Sequence, residues 1–397
     1  MIRYYASFIL LLVTVSIVFY IENNAIYGNY EITEKPVSKH CLIPDVVLPR
    51  KPEGRRITLV LHASADRIDS STKQIENWNG PVSLAVAFDL NVVDEDILSC
   101  YFRIFERFKK LSKTTEEYLS VHYLVQNEGS RCVNLKNAVV SGFKNDCRNF
   151  FQKFYKMKEK VQFLSRFKKI KKMTSYEINA SRNLAKNRVE TDFMVVADLD
   201  HMFSTNFEEK MKNFVADYLV KNPKTLLVYR IFEIHKDSED PKTKAELRTL
   251  LSTGKAREFH VENKTKSVIE RLDEWLQYPE SPITVQFIKQ YSDPSWEPQF
   301  VSRKHIPDFD ERFRYPMRDN TVLRWHLCRA NYTFAVVNTV FMYHRGFKSF
   351  SQQDELNLAR KSILESTVSS ISKFSKEMDV QYPNTKKQCP LLNYKKL

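Results

Sequence analysis

Glycine is scarce in this chain, with seven among 397 residues. That scarcity excludes a collagen-like repeat and Gly-rich linkers. No Cys-x-x-Cys pair occurs among the six cysteines at 41, 100, 132, 147, 328 and 389. Their scatter speaks against a structural zinc site and for buried thiols or disulfides of an oxidising compartment, with the pairing left open. Internal repeats and low-complexity tracts are missing too. Disorder is excluded by what is present: 43% hydrophobic and 13% aromatic residues make a globular chain with a real core. The length gives room for one large domain or two of ordinary size.

One uncharged apolar run stands out, from Tyr4 to Ile21, with Arg3 before it and Glu22-Asn23-Asn24 after it. Its length barely spans a bilayer. Charge before the run orients the rest of the chain away from the cytosol. The expectation is a type II signal-anchor: residues 1–3 cytoplasmic, 4–21 in the membrane, 22–55 a stem with prolines at 36, 44, 49 and 52. A cleaved signal peptide is the rival reading, but no convincing small-x-small site follows. A short span suits the membranes of the endoplasmic reticulum or Golgi. The sequons at Asn179, Asn263 and Asn331 are compatible with a luminal chain.

The formal net charge is +14, much of it in Arg103–Lys113 and Arg148–Lys172. Phe150, Phe154, Met157, Val161 and Leu164 follow the three-four spacing of a buried helical stripe, which leaves the lysines solvated. The alternative use of the charge is attraction of an acidic glycan or nucleotide sugar. Nucleic acid is not expected behind a membrane anchor.

Strands are expected at Ile57–Ala63, Val82–Phe88, Val121–Val125, Phe193–Ala197, Leu226–Phe232 and Thr333–Tyr343. Helices are expected at Ser71–Trp78, Asp94–Leu111, Ser175–Arg188, Asn206–Val220, Thr321–Arg329 and Ser351–Met378, the last with Leu364, Val368 and Ile371 on one stripe. This alternation is that of an α/β sheet. It divides the chain into a main domain over 56–349 and a C-terminal helix and tail over 350–397.

The apolar strand Phe193-Met-Val-Val-Ala ends in Asp198-Leu-Asp200. Side chains two apart on a strand share a face, so the two carboxylates can converge on one ligand at the edge where open α/β sheets bind. Two hard oxygen donors suit a divalent cation. His344, after the run Ala335–Tyr343, completes a two-carboxylate, one-imidazole set that favours Mn²⁺ over Mg²⁺. On the helix before the carboxylates, Asn179, Arg182 and Asn183 share a face suited to a nucleotide diphosphate.

These stretches together resemble glycosyltransferase family 49, the LARGE-type and related β-1,4-glucuronyltransferases. The resemblance runs from about Arg56 to Lys348. It rests on Ile57-Thr-Leu-Val, Trp78-Asn-Gly80-Pro81, Tyr176-Glu-Ile-Asn179-Ala-Ser-Arg182-Asn183, Asp198-Leu-Asp200, Trp296-Glu297-Pro298, Phe309-Asp310-Glu311-Arg312-Phe313 and His344-Arg-Gly346-Phe347. It implies a GT-A type, Rossmann-like mixed sheet flanked by helices, a UDP-sugar donor, a glycan or glycoprotein acceptor and transfer with inversion. Asp198, Asp200 and His344 would then hold Mn²⁺ (or Mg²⁺), while Asn179, Arg182, Asn183 and Asp198 would face the donor. Asp319, then Asp310 and Glu297, would supply the base. The chain departs from the family at His201-Met202-Phe203, at Tyr315-Pro316-Met317-Arg318-Asp319-Asn320 and at Asn331. Homo- or heterodimers stay open. The competing functions are a membrane-tethered, non-catalytic glycan-binding or scaffold protein and a phosphatase of the haloacid-dehalogenase type. The sequons conflict at Asn179, which cannot both carry a glycan and face a donor, so glycan is expected on Asn263 or Asn331.

Overall fold

A computed structural model of the chain describes residues 40–392 apart from 51, 89–99, 102–103, 107, 127–146, 148–164, 260–268 and 348–349. The Tyr4–Ile21 run, the Phe150–Leu164 stripe, Asn263 and the first half of the Asp94–Leu111 helix lie outside the described residues. No helix among the described residues is long and apolar enough to cross a membrane.

The strands are β1 (His40–Val47), β2 (Ile57–Ser64), β3 (Val82–Phe88), β4 (Leu119–Gln126), β5 (Phe193–Val196), β6 (His201–Phe203), β7 (Thr225–Ile234), β8 (Ala256–Glu258), β9 (Val285–Lys289), β10 (Gln299–Arg303) and β11 (Thr333–Arg345). The helices are α1 (Ser71–Trp78), α2 (Lys113–Tyr118), α3 (Arg166–Ser175), α4 (Ile178–Lys186), α5 (Phe207–Lys221), α6 (Lys244–Ser252), α7 (Leu272–Gln277), α8 (Thr321–Arg329) and α9 (Phe350–Gln381).

All the strands join one mixed sheet in the order β1-β4-β3-β2-β5-β10-β7-β11-β6, with β8 on β7 and β9 on β11. Strands β4, β3, β2 and β5 run parallel. β2, first of the four in sequence, therefore has β3 on one side and β5 on the other, which makes the β2/β5 border a topological switch point. β2 is covered on both faces. Ile57, Leu59, Leu61 and Ala63 join the core under α1 and α5, while Val60 joins the core under α4, α8 and α9. That two-sided burial explains why its sequence is a continuous apolar run.

Local chemistry accounts for the helix ends near the site. In α1, Ser71, Gln74, Ile75 and Trp78 are buried. The helix stops at Asn79, which takes the left-handed conformation at φ 48° and donates to the Ile75 carbonyl. Gly80 follows because a Cβ there would stand 2.7 Å from the Trp78 indole nitrogen. The Pro81 carbonyl accepts from that nitrogen at 3.0 Å and from Leu59 N at 2.8 Å. Trp78-Asn-Gly-Pro81 is thus a capped turn that docks α1 on the sheet. In α5, Glu208 and Glu209 fall in the first turn and Lys221 in the last, the arrangement that favours the helix dipole.

Two expectations need correction. The segment 22–55 is not all stem, since His40–Val47 pairs antiparallel with β4. A register shift between Ile43 and Val47, with Asp45 at φ 58°, breaks the alternation that would have announced a strand. On α9 the buried residues include Ala359, Ile363, Thr367, Ile371, Phe374 and Met378, whereas Leu364 is 38% exposed.

The C-terminal end of α9 is clamped to α8. The Arg329 guanidinium donates to the carbonyls of Met378 (3.0 Å) and Tyr382 (2.9 Å) and to Asp379 Oδ1 (2.8 Å). Cys328 is bonded to Cys389 across 61 residues, Cys100 to Cys147 across 47, and Cys41 is also disulfide-bonded. Removing the α8 clamp with Cys328→Ser/Cys389→Ser should cost about 2–4 kcal/mol of stability. Urea unfolding followed by circular dichroism reads this directly, and an unchanged midpoint would refute the clamp.

Candidate functional site

β5 delivers Ala197 to the switch point, where its N–H donates to the Val60 carbonyl of β2 at 3.1 Å. The chain then turns tightly: His201 N donates to the Asp198 carbonyl at 3.1 Å, and Asp198 N to His201 Nδ1 at 3.4 Å. Gln74 of α1 bridges both ends of this turn, donating to the carbonyls of Asp198 (2.8 Å) and His201 (2.7 Å). Asn77 then engages both backbone groups of Phe203, at 2.9 and 2.7 Å. Helix α1 therefore fixes the turn that carries the carboxylates.

Beyond the turn, β6 pairs antiparallel with the end of β11 so that His201 lies opposite His344. That pairing brings a residue 144 positions away to Asp200: His344 Nε2 stands 3.1 Å from Asp200 Oδ2. The other ring nitrogen, Nδ1, is 3.1 Å from the Gly346 carbonyl, so it carries a proton and donates. His201 Nε2 is 3.9 Å from Asp200 Oδ1. Burial by itself would raise the Asp200 carboxyl, but His344 and His201 hold it down at about 2. The Asp200 side chain is 60% exposed and that of Asp198 is 40% exposed, so both open to solvent at the sheet edge.

Asp198 is aimed by two buried groups. His62 Nε2 of β2 lies 3.0 Å from its Oδ1, and Arg182 Nη2 of α4 donates to the same oxygen at 3.1 Å. Tyr176 sits behind His62, its hydroxyl 2.8 Å from Nδ1. Against the burial that would raise it, Arg182 first and then His62 and His201 hold the Asp198 carboxyl well below the usual range. Burial pushes His62 down, which favours its neutral form.

Arg182 also donates to Asp319 Oδ2 at 3.0 Å and to Asn179 Oδ1 at 3.1 Å. It lies over the Phe309 ring, 5.2 Å from the centroid. One buried guanidinium therefore joins Asp198 to Asp319. Tyr315 stands by the same carboxylates: burial, then Asp319, Asp198 and Asp200, push its hydroxyl up to about 12.

The structure corrects three roles. Asn179 and Asn183 do share a face with Arg182, but their amides are occupied within the protein. Asn179 Nδ2 donates to the carbonyls of Asp310 (2.9 Å) and Phe313 (3.1 Å). Asn183 takes both backbone groups of Phe309, at 2.9 and 2.8 Å. They hold the Phe309–Phe313 loop and have no atom left for a nucleotide. Asp310 receives the Arg312 guanidinium on both oxygens, at 2.9 and 3.0 Å, and Arg312 continues to Glu377 of α9. That ion-paired acid ties the loop to α9. Glu297 is half-buried in the field of Arg318 and Arg324, and Arg324 also lies in the field of Arg182 and Asp198.

His62, Gln74 and Asn77 went unnoticed in the sequence, and Tyr176 stood only as the first residue of the motif before Asn179, with no role of its own. His62 alone left a trace, as a polar interruption of an apolar strand. A second polar chain carries no chemistry. Ser83 Oγ lies 3.0 Å from His122 Nε2, but His122 Nδ1 accepts from Asp45 N at 2.9 Å, so Nε2 bears the proton. Ser83 in turn donates to the Ala185 carbonyl at 2.7 Å, and both Ser83 and His122 are buried. No base faces that hydroxyl.

Asp198, Asp200 and His344 fit a divalent cation by donor type: two open carboxylates, with an imidazole nitrogen on one of them. Asp198 Oδ2 has no hydrogen-bond partner among the described residues. As they stand, no three His, Cys, Asp or Glu side chains among the described residues form a closed metal cage.

Asn179 is 2% exposed, so a glycan has no room there, whereas Asn331 is exposed at φ 62° after α8. Peptide mapping of secreted protein should find Asn179 unmodified and Asn331 occupied. Asn179→Ala should cost about 1–3 kcal/mol by orphaning two buried carbonyls and part of Arg182. Occupied Asn179, or a stability unchanged by the substitution, would contradict this account of the loop.

β-1,4-glucuronyltransferase 1 of Mus musculus is 31% identical over 221 residues, 54% of this chain and 51% of that protein. Its namesake in Homo sapiens is 24% identical over 360 residues, 84% of this chain and 77% of its own. Xylosyl- and glucuronyltransferase LARGE1 of Homo sapiens is 22% identical over 294 residues, 72% of this chain and 31% of its own. The chain thus spans between a third and three quarters of these relatives. Among solved structures, GalNAc-T7 with UDP, GalNAc and Mn²⁺ is 8% identical with a TM-score of 0.37, over 82% of this chain and 54% of that one. S. aureus TarS 1-349 is 9% identical with a TM-score of 0.36, over 82% of each chain. A family model described as "Glycosyl-transferase for dystroglycan" matches residues 56–383, the whole stretch from the start of β2 past the end of α9. Since that stretch holds the switch point, the carboxylate turn and the clamped helices together, the chain belongs to glycosyltransferase family 49.

Proposed function

We propose that the protein transfers a sugar, glucuronate as first choice, from a UDP-sugar to a hydroxyl of a glycan or glycoprotein acceptor. The observation that carries this reading is the pair of ionised, solvent-open carboxylates, Asp198 and Asp200, held at the switch point of a family 49 sheet. The names of the relatives favour glucuronate among the UDP-sugars. Family membership leaves no support for the phosphatase alternative.

Asp198, Asp200 and His344 would hold Mn²⁺, with Mg²⁺ as the alternative. The ion, when bound, supplies positive charge against the diphosphate that leaves with UDP. The rest is work of the chain's own side chains. His62 and Arg182 orient Asp198 and keep it ionised. Arg182 also sets the separation between Asp198, on the donor side, and Asp319, the proposed base. Asp319 uses Oδ2 for Arg182 and keeps Oδ1 for the acceptor hydroxyl, whose proton it takes as the new bond forms. One displacement assisted by one base inverts the anomeric centre.

The disulfides support a lumen of the secretory pathway, Golgi or endoplasmic reticulum, as the place of action. The Tyr4–Ile21 run would be the anchor.

UDP release measured over a panel of UDP-sugars, with and without Mn²⁺, tests the proposal. Asp200→Asn should lower release by roughly 100-fold or more without unfolding the protein. Asp319→Asn should remove acceptor-stimulated release while UDP-sugar affinity stays within about threefold. Near-normal turnover of the Asp200 variant would sink the assignment. Donor binding without release across the panel would favour a non-catalytic glycan-binding protein.

A further inference from the structure

A cleft of about 620 Å³ opens away from the carboxylate turn, lined by Lys186, Lys224, Lys304, His305, Tyr332 and Tyr382 among others. Its position follows from the strand directions. Lys224 directly precedes β7 and Tyr332 directly precedes β11, while Lys304 directly follows the antiparallel β10. Asp198 and His344 lie at the opposite ends of the same sheet. From Tyr332 to His344 the chain runs almost the whole of β11, on the order of 40 Å at about 3.3 Å per residue. A ligand held in the cleft therefore cannot touch the donor site.

Its chemistry is cationic and aromatic. Lys186 is neutralised by Asp308 at 2.8 Å. Lys224 and Lys304 instead donate to backbone carbonyls, of Ala330 at 3.1 Å and of Glu190 at 3.4 Å, and no carboxylate among the described residues pairs with them. Arg303 is close enough to act on the Tyr332 hydroxyl and likewise has no carboxylate partner among the described residues. Tyr332 and Tyr382 are half-buried and near one another. Un-neutralised cations in a concave site concentrate an anion. Tyrosine rings add flat apolar faces with a hydroxyl at the rim, a surface that suits the C–H faces and hydroxyls of a sugar better than a bare phosphate chain.

We propose that this cleft is a second binding site, for an anionic oligosaccharide whose carboxylates meet Lys224 and Lys304 and whose rings lie on Tyr332 and Tyr382. It would hold a remote part of an acidic glycan while the opposite edge of the sheet carries out the transfer. The choice of a sugar rests on the glycosyltransferase reading; the anion-binding chemistry does not.

The test uses the full chain carrying Thr333→Val, which removes the Asn331 sequon at the mouth of the cleft and keeps Asn331 in its left-handed cap. Binding of hyaluronan hexasaccharide, neutral chitohexaose and tripolyphosphate is measured by calorimetry, and UDP release from UDP-glucuronate is followed in parallel. The hexasaccharide should bind and the neutral chain should not. Lys224→Glu/Lys304→Glu and, separately, Tyr332→Leu should each weaken the hexasaccharide by about tenfold or more, with thermal midpoints and UDP release unchanged. If the charge reversal unfolds the chain, Lys224→Gln/Lys304→Gln takes its place with the same expectation. Equal binding of the neutral chain overturns the proposal. So does hexasaccharide affinity indifferent to both substitutions. Tripolyphosphate binding as tight as the hexasaccharide, together with indifference to Tyr332→Leu, identifies a general anion patch and overturns the saccharide assignment. A protein that turns over no UDP-sugar leaves these binding outcomes intact, so the two readings fail separately.

Discussion

The arrangement around the carboxylate turn depends on one buried cation. Arg182 is 2% exposed, yet it reaches Asp198, Asp319 and Asn179 and covers the Phe309 ring. A guanidinium taken out of water must meet opposite charge and planar acceptors, or it destabilises the fold by several kcal/mol. Here two carboxylates from different parts of the chain meet its two terminal nitrogens, while Nε has no partner among the described residues, and the pairing holds the carboxylates at a set separation. Breaking a buried pair of this kind typically costs about 3–5 kcal/mol, less here because Asp198 is partly solvated. The same contact that stabilises the fold also fixes Asp198 relative to Asp319.

Around that cation the support is mostly neutral and mostly directed at the backbone. Gln74 and Asn77 on α1 fix the turn after β5, and Asn179 and Asn183 on α4 fix the Phe309–Phe313 loop. Primary amides suit this work because each has both a donor and an acceptor and can replace a missing strand partner. Carboxylates in the same places would repel Asp198 and Asp200 or require further cations. The open residues, Asp198 and Asp200, can therefore face solvent while Arg182, His62 and Gln74 behind them are buried and His344 and Asn77 half-buried. Their exposure leaves room for ligands, and their rigidity comes from behind.

The two ends of the sheet differ in charge for a related reason. At the carboxylate end, acids are matched by Arg182, His62 and His344. At the other end, Lys224 and Lys304 bond to backbone carbonyls and have no carboxylate partner among the described residues. Part of the +14 charge that the sequence carries thus has a definite address, different from the basic helix that composition alone pointed to.

Much of this was legible in the sequence. Continuous apolar runs marked β2, β3, β5, β7 and β11, because strands buried on both faces must be apolar throughout. Helices were expected near α1, α4, α5, α8 and α9, although the stripe read on α9 misplaced its buried face. The Asp198–Asp200 pair was recognisable because it ends such a run, and the face shared by Asn179, Arg182 and Asn183 because helical geometry alone places them together. Only the tertiary structure decided what those residues touch. No spacing rule could direct the two amides to a loop about 130 residues away rather than to a nucleotide. Nor could one bring His62 to Asp198, pair the cysteines, or find β1 behind its bulge and β10 between prolines. Periodicity records which face of an element is buried; the partner on that face is chosen by how the chain returns through the sheet, which depends on long-range packing that no local pattern encodes.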